Sequence, residues 1–236
     1  GPGGGRGGGG GGGAEGEAGG KRPAMLYLHG GGLIFGDARQ DDAFVRSVVK
    51  RLGITVASVQ YRCAPQHPFP TPLDDAEEAF IWLAAQPSVD PERVVICGNS
   101  AGGNLAAALC QRLHARGAAV RPCFQVLTYP MLDNRSAEGS GPHDDKFRIW
   151  DRASNALGWG HYLQGCDWAD PPPFSVPARA DDTSGLPPAW IGVGDLDLFY
   201  PECDAYARRL RIAGVEADLV RVGGAYHGFE TVDPEA

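Results

Sequence analysis

The sequence predicts an α/β fold in which a mostly parallel sheet carries helices on both faces, and three observations predict it. From Pro23 onward, short apolar runs of strand length alternate with segments of helical period. Near the middle, the β-branched run Val94-Val95-Ile96 leads through Gly98-Asn99-Ser100-Ala101-Gly102 into an alanine-rich segment with Leu105, Leu109 and Leu113 on one face. That is strand, tight turn and helix, with a serine at the apex of a G-x-S-x-G turn. The 236 residues also suit one domain, large enough for a sheet covered on both sides.

Residues 1–20 are almost entirely glycine and bury nothing that offsets the entropy of ordering them. They are expected to form a disordered tail, leaving 21–236 as the folded domain. Met25 to Leu28 reads as a strand running into His29-Gly30-Gly31-Gly32. Asp41 to Leu52 reads as a helix with Val45, Val48, Val49 and Leu52 on one face and Gly53 as its stop. Ile54 to Val59 is the next strand, delivering the chain into a proline-broken loop. Thr71-Pro72-Leu73-Asp74 reads as a helix start with Thr71 as the cap, and the helix ends near Gln86. After the central turn and its helix, Phe124 to Leu127 is a further buried strand. Residues 133–188 break the rhythm: they are polar and proline-rich, with one helix from about Arg152 to Leu163. An excursion of that length between core strands suits a lid or partial cap. Strand Trp190 to Val193, helix Pro201 to Ile212 and strand Asp218 to Val222 complete the core. In such a sheet the ligand site lies beyond the carboxyl ends of the strands, where Ser100, the triple glycine, the Asp195 to Asp197 loop and His227 all fall.

The charge balance, 21 Lys+Arg against 29 Asp+Glu, gives a net of -8 with no basic cluster. Nucleic acid and anionic membrane surfaces are therefore unexpected partners. Six scattered cysteines (63, 97, 110, 123, 166, 203) form no C-x-x-C pair and no metal-binding spacing, which suits buried thiols of a cytoplasmic protein. No apolar run is long enough to span a bilayer, and no signal-peptide core is evident.

A serine hydroxyl is a poor nucleophile until a base takes its proton, and histidine has the suitable pKa. Of the six histidines, His29 opens a glycine loop, His67 lies among prolines, His114 ends a helix, and His143 and His161 belong to the insert. His227 alone follows the last core strand, after both the serine and a strand-end acid. An orienting carboxylate belongs on a strand-end loop; Asp195 and Asp197 both qualify, and spacing does not choose between them. The glycines after His29 let backbone N–H groups converge on a carbonyl oxygen that gains charge, with the N–H of Ala101 as partner donor. No G-K-[ST] follows those glycines, so nucleotide binding has little support.

H-G-G-G at 29–32, Y-R-x-A-P-x-H-P-F-P at 61–70 and G-N-S-A-G-G at 98–103 together resemble the hormone-sensitive-lipase-like branch of the α/β-hydrolase esterases. G-D-L-D-L-F at 194–199 and Y-H-G-F at 226–229 extend the resemblance over nearly the whole chain after residue 23. It implies an α/β-hydrolase fold with a partial cap, Ser100 as nucleophile, His227 as base, and Gly31, Gly32 and Ala101 as oxyanion donors. It implies Asp197 rather than Asp195 as the acid, with Glu202 near the family's following acidic position. The activity implied is hydrolysis of small, uncharged, short-acyl carboxylic esters through an acyl-serine intermediate, with no metal and no cofactor. The alternatives are a non-catalytic small-molecule receptor on the same fold, as in some plant hormone receptors that resemble this branch, and an inactive fragment. Asn99 stands where the family usually has Asp or another small polar residue, and Cys63 and Gln66 replace a usual Leu and Glu. Family members carry cap helices and two strands before the H-G-G-G strand and a final helix after the histidine. Polyglycine holds the first place here and no final helix is expected, so the chain reads as truncated at both ends.

Overall fold

The computed structural model describes residues 20–139 and 147–232. Most of the glycine-rich tail, together with His143 and its neighbours in the insert, lies outside the described residues. Six strands build one parallel sheet in the order β2-β1-β3-β4-β5-β6: β1 Arg22–Leu28, β2 Thr55–Val59, β3 Val89–Asn99, β4 Phe124–Thr128, β5 Ala189–Gly194 and β6 Ala217–Val222. Side-chain alternation along β1 divides the core. Ala24, Leu26 and Leu28 join a large cluster with α2 (Thr71–Ala84), α3 (Ala101–Ala115) and α5 (Tyr200–Ile212), whereas Met25 and Tyr27 face a smaller one with Cys97. Helix α1 (Asp42–Leu52) covers that second face, so helices occupy both sides of the sheet, as the alternation of elements predicts. No described helix is long and apolar enough to cross a membrane.

Three local expectations are corrected. Val45 and Val48 pack against the second cluster, but Val49 and Leu52 stand exposed, because α1 meets the sheet through one narrow stripe and no described element covers its far turn. Gly53 does stop α1, in the left-handed conformation. Thr71 is not the cap of α2: the carbonyl of Pro70 already accepts from Leu73 and Asp74, which makes Pro70 the cap and puts Thr71 inside the first turn. Past His227 the chain forms a short helix, α6 (Phe229–Val232), where none was expected.

The insert between β4 and β5 is held into the body by its aromatic residues. Its helix α4 (Arg152–Tyr162) buries Trp159 and Tyr162, and Asp151 caps it by accepting from the Ser154 N–H at 2.8 Å. Tyr162 also accepts the N–H of Phe69 through its carbonyl at 2.8 Å, tying the insert to the loop before α2.

Candidate active site

The site is built on the turn from β3 to α3. Ser100 sits at φ 52°, ψ -117°, a conformation few non-glycine residues adopt, and it is held there from three sides. Its N–H donates to the Thr128 carbonyl at 2.9 Å, and its carbonyl accepts from Asn104 at 3.1 Å and Met131 at 3.0 Å. The turn closes only because Gly102 lacks a side chain: a Cβ there would lie 2.0 Å from the Leu28 carbonyl oxygen. The hydroxyl is thereby thrust past the ends of the central strands.

His227 follows β6 and reaches back across the sheet. Its Nε2 lies 3.0 Å from Ser100 Oγ, and its Nδ1 lies 2.8 Å from Asp197 Oδ2. The ring stands between two aromatic edges, with centroids 4.6 Å from Tyr129 and 5.1 Å from Phe199. Asp197 is buried, and its second oxygen accepts the Phe199 N–H at 2.8 Å, which fixes the carboxylate plane. Asp195 is elsewhere. It pairs with Arg221 at 2.8 Å and accepts the Gly224 N–H at 2.8 Å, and these two contacts hold its carboxyl below the ordinary range. The structure thus brings Ser100, His227 and Asp197 into one hydrogen-bonded row and leaves Asp195 on the surface.

The H-G-G-G loop runs beside this row, with Gly30 packed against Ser100 and Asn99. Gly31, at φ 124°, folds the loop back so that its carbonyl accepts from both Ile34 and Phe35 at 3.1 Å. The N–H groups of Gly31, Gly32 and Ala101 have no intramolecular acceptor among the described residues. Ala101 is also the first residue of α3, where the helix N-terminus favours negative charge.

His29 braces the loop rather than joining the row. It is fully buried, its Nδ1 donates to the Gly30 carbonyl at 2.8 Å, and it stacks on Tyr61 with centroids 4.1 Å apart. Burial holds this imidazole below its ordinary pKa, so it stays neutral. Tyr61 in turn donates its hydroxyl to the His29 carbonyl at 2.7 Å, a role within the Y-R-x-A-P motif that the sequence pattern does not reveal. His114 lies near Arg121, at the far end of α3.

Two residues of the insert border the site, and no local pattern marked them. Trp150 packs directly on Gly32, with its indole N–H donating to Asn155 at 3.2 Å. Ile149 stands exposed at φ 65° beside Gly228, the neighbour of His227.

Glu202, in the first turn of α5, supports the wall behind Ser100. Its Oε1 accepts from the N–H groups of Leu132 at 2.6 Å and Asp133 at 3.2 Å. Burial pushes this carboxyl up to about 8 even though both donors favour the charged form. A group that titrates near 8 when folded and near 4.5 when unfolded holds more protons in the folded state between those values. Its contribution to stability is therefore present at low pH and is lost as pH rises through that window. Glu202→Gln keeps the acceptor oxygen and should flatten this dependence. Urea melts of both proteins at pH 5 and pH 8 check it: a stability difference that does not change with pH sinks the expectation.

The α/β-hydrolase-fold family profile matches residues 25–231. The chain is 36% identical over 221 residues to the carboxylic ester hydrolase LipN of Mycobacterium tuberculosis, covering 89% of this chain and 58% of that protein. It is 33% identical over 211 residues to an ethyl acetate hydrolase of Pseudomonas putida, covering 87% and 65%. The chain therefore spans less than two thirds of the length of either relative. Among solved structures, a bacterial heroin esterase superposes with a TM-score of 0.86 at 35% identity, covering 92% of this chain and 70% of that one. With a parallel sheet, a serine at the strand-to-helix turn and matches of this extent, the chain belongs to the α/β-hydrolase fold family, in its hormone-sensitive-lipase-like branch.

Proposed function

We propose that this chain is a serine carboxylic-ester hydrolase that works through an acyl-serine intermediate. The observation that carries the reading is the continuous row from Asp197 Oδ2 through the His227 ring to Ser100 Oγ, at 2.8 and 3.0 Å. Nucleophile, base and orienting acid lie within the reach such chemistry requires. In this reading His227 Nε2 takes the Ser100 proton as Oγ attacks the ester carbonyl. The negative charge moves to the carbonyl oxygen, toward the N–H groups of Gly31, Gly32 and Ala101. Collapse of the tetrahedral intermediate expels the alcohol, which receives its proton from His227, and leaves acyl-Ser100. Water activated by the same imidazole then releases the acid. The chain's own residues supply every proton transfer, so the reaction calls for no metal or cofactor. A non-catalytic receptor would have no need of an imidazole within hydrogen-bond reach of the serine.

The substrate class is a small, uncharged, short-acyl ester. One relative's name, ethyl acetate hydrolase, points the same way. The insert, residues 133–188, acts as a partial cap whose Ile149 and Trp150 border the histidine and oxyanion sides. Six unpaired cysteines fit a reducing cytoplasm. The test is a series of p-nitrophenyl esters run beside an organophosphonate probe. Acetyl and butyryl esters should be turned over with little or no gain for longer chains, and the probe should add once, at Ser100. Labelling at another serine overturns the assignment.

A further inference from the structure

Ser100 and His227 arrive on elements distant in sequence, and a buried phenol outside the row joins the two. Tyr129, directly after β4, is only 2% exposed. Its N–H donates to the Gly192 carbonyl of β5 at 2.6 Å, and its φ of 35° lies in the left-handed region that non-glycine residues seldom occupy. This backbone sets the ring edge-on against the His227 imidazole. The hydroxyl then reaches the segment that carries the histidine. It donates to the carboxylate of Glu230 in α6, three residues past His227. On the other side, the carbonyl of Thr128, the residue before Tyr129, accepts the Ser100 N–H at 2.9 Å. Burial and the Glu230 carboxylate both hold the phenol above its ordinary pKa, so it remains a neutral donor.

Glu230 keeps its other oxygen buried without a partner among the described residues, so it has few alternatives to the phenol. We propose that Tyr129 is a positioning residue: with the strand end before it holding the Ser100 backbone on one side and its hydroxyl holding Glu230 on the other, it fixes the separation between Ser100 and His227. The inference rests on the ester-hydrolase reading of the same site.

Tyr129→Phe retains the ring edge against His227 and removes only the hydroxyl. It should lower kcat about 10-fold to 100-fold with KM little changed, because a displacement of around 1 Å between reacting groups has effects of that size. Glu230→Ala should reproduce the loss, and it carries the test if Tyr129→Phe fails to fold. Glu230→Gln, which keeps an acceptor oxygen for the phenol, should restore most of kcat. The double variant Tyr129→Phe with Glu230→Ala should be no slower than either single variant, since each breaks the same link. Unchanged kcat in folded Tyr129→Phe, a change confined to KM, failure of Glu230→Gln to restore turnover, or additive losses in the double variant each overturn the proposal while leaving the hydrolase reading intact. A wild-type chain that neither hydrolyses p-nitrophenyl acetate nor takes a phosphonate at Ser100 overturns both.

Discussion

Ser100→Ala is expected to lower kcat/KM for p-nitrophenyl acetate by at least roughly 10⁴-fold, to the level that substrate binding and oxyanion donors sustain without a nucleophile. The change removes the one oxygen that His227 Nε2 faces at 3.0 Å. It should leave the fold intact for a specific reason. The Ser100 side chain makes no capping bond to α3, and the contacts that hold the turn run through its backbone N–H and carbonyl. Alanine inherits the same φ of 52° with the same Cβ, so the strain in the turn is unchanged. The thermal midpoint should stay within a few degrees of wild type. Phosphonate labelling, read by intact mass, should vanish with the activity. Hydrolysis that persists at near wild-type rate in the variant would show that another group is the nucleophile.

Much of this arrangement is legible in sequence because its determinants are local. The β-branched run at 94–96, the flanking glycines and the alanine-rich helix mark the serine turn, since close approach of strand and helix admits only those residue types there. Strand and helix positions follow from periodicity for the same reason, and most bounds shift by a residue or two, but β1 begins three residues before Met25 and β3 five before Val94, because pairing with neighbouring strands continues past the apolar runs. The supporting contacts are not legible. Tyr129 and Glu230 meet across 101 positions of chain, and neither belongs to a spacing that signals the other. Trp150 looks like any aromatic of an irregular insert until the fold places it on Gly32. The exposed turn of α1 fails in the opposite sense: periodicity assigns Val49 and Leu52 to a buried face, but burial depends on whether a neighbouring element is there to receive them.

The choice between Asp195 and Asp197 also lay beyond spacing, because two residues along a strand-end turn separate a buried carboxylate from a half-buried one paired with Arg221. The two substitutions should therefore differ sharply. In Asp197→Asn, the Phe199 N–H retains the side-chain oxygen at 197, so the new NH₂ group is turned toward His227 Nδ1. An amide donor there requires Nδ1 to be the bare nitrogen and places the imidazole proton on Nε2, facing Ser100. A base in that tautomer has no lone pair for the serine proton, and the loss in kcat should be on the order of 10⁴-fold. Asp195→Asn should change kcat by only a few-fold. It weakens a water-screened pair with Arg221, and the amide oxygen can still accept the Gly224 N–H. Steady-state rates on p-nitrophenyl acetate for both variants, with melting curves to show that each is folded, decide the matter. A large loss at 195 with near-normal turnover at 197 would move the orienting role to Asp195 and would mean that the hydrogen bond from His227 to Asp197 serves the fold alone.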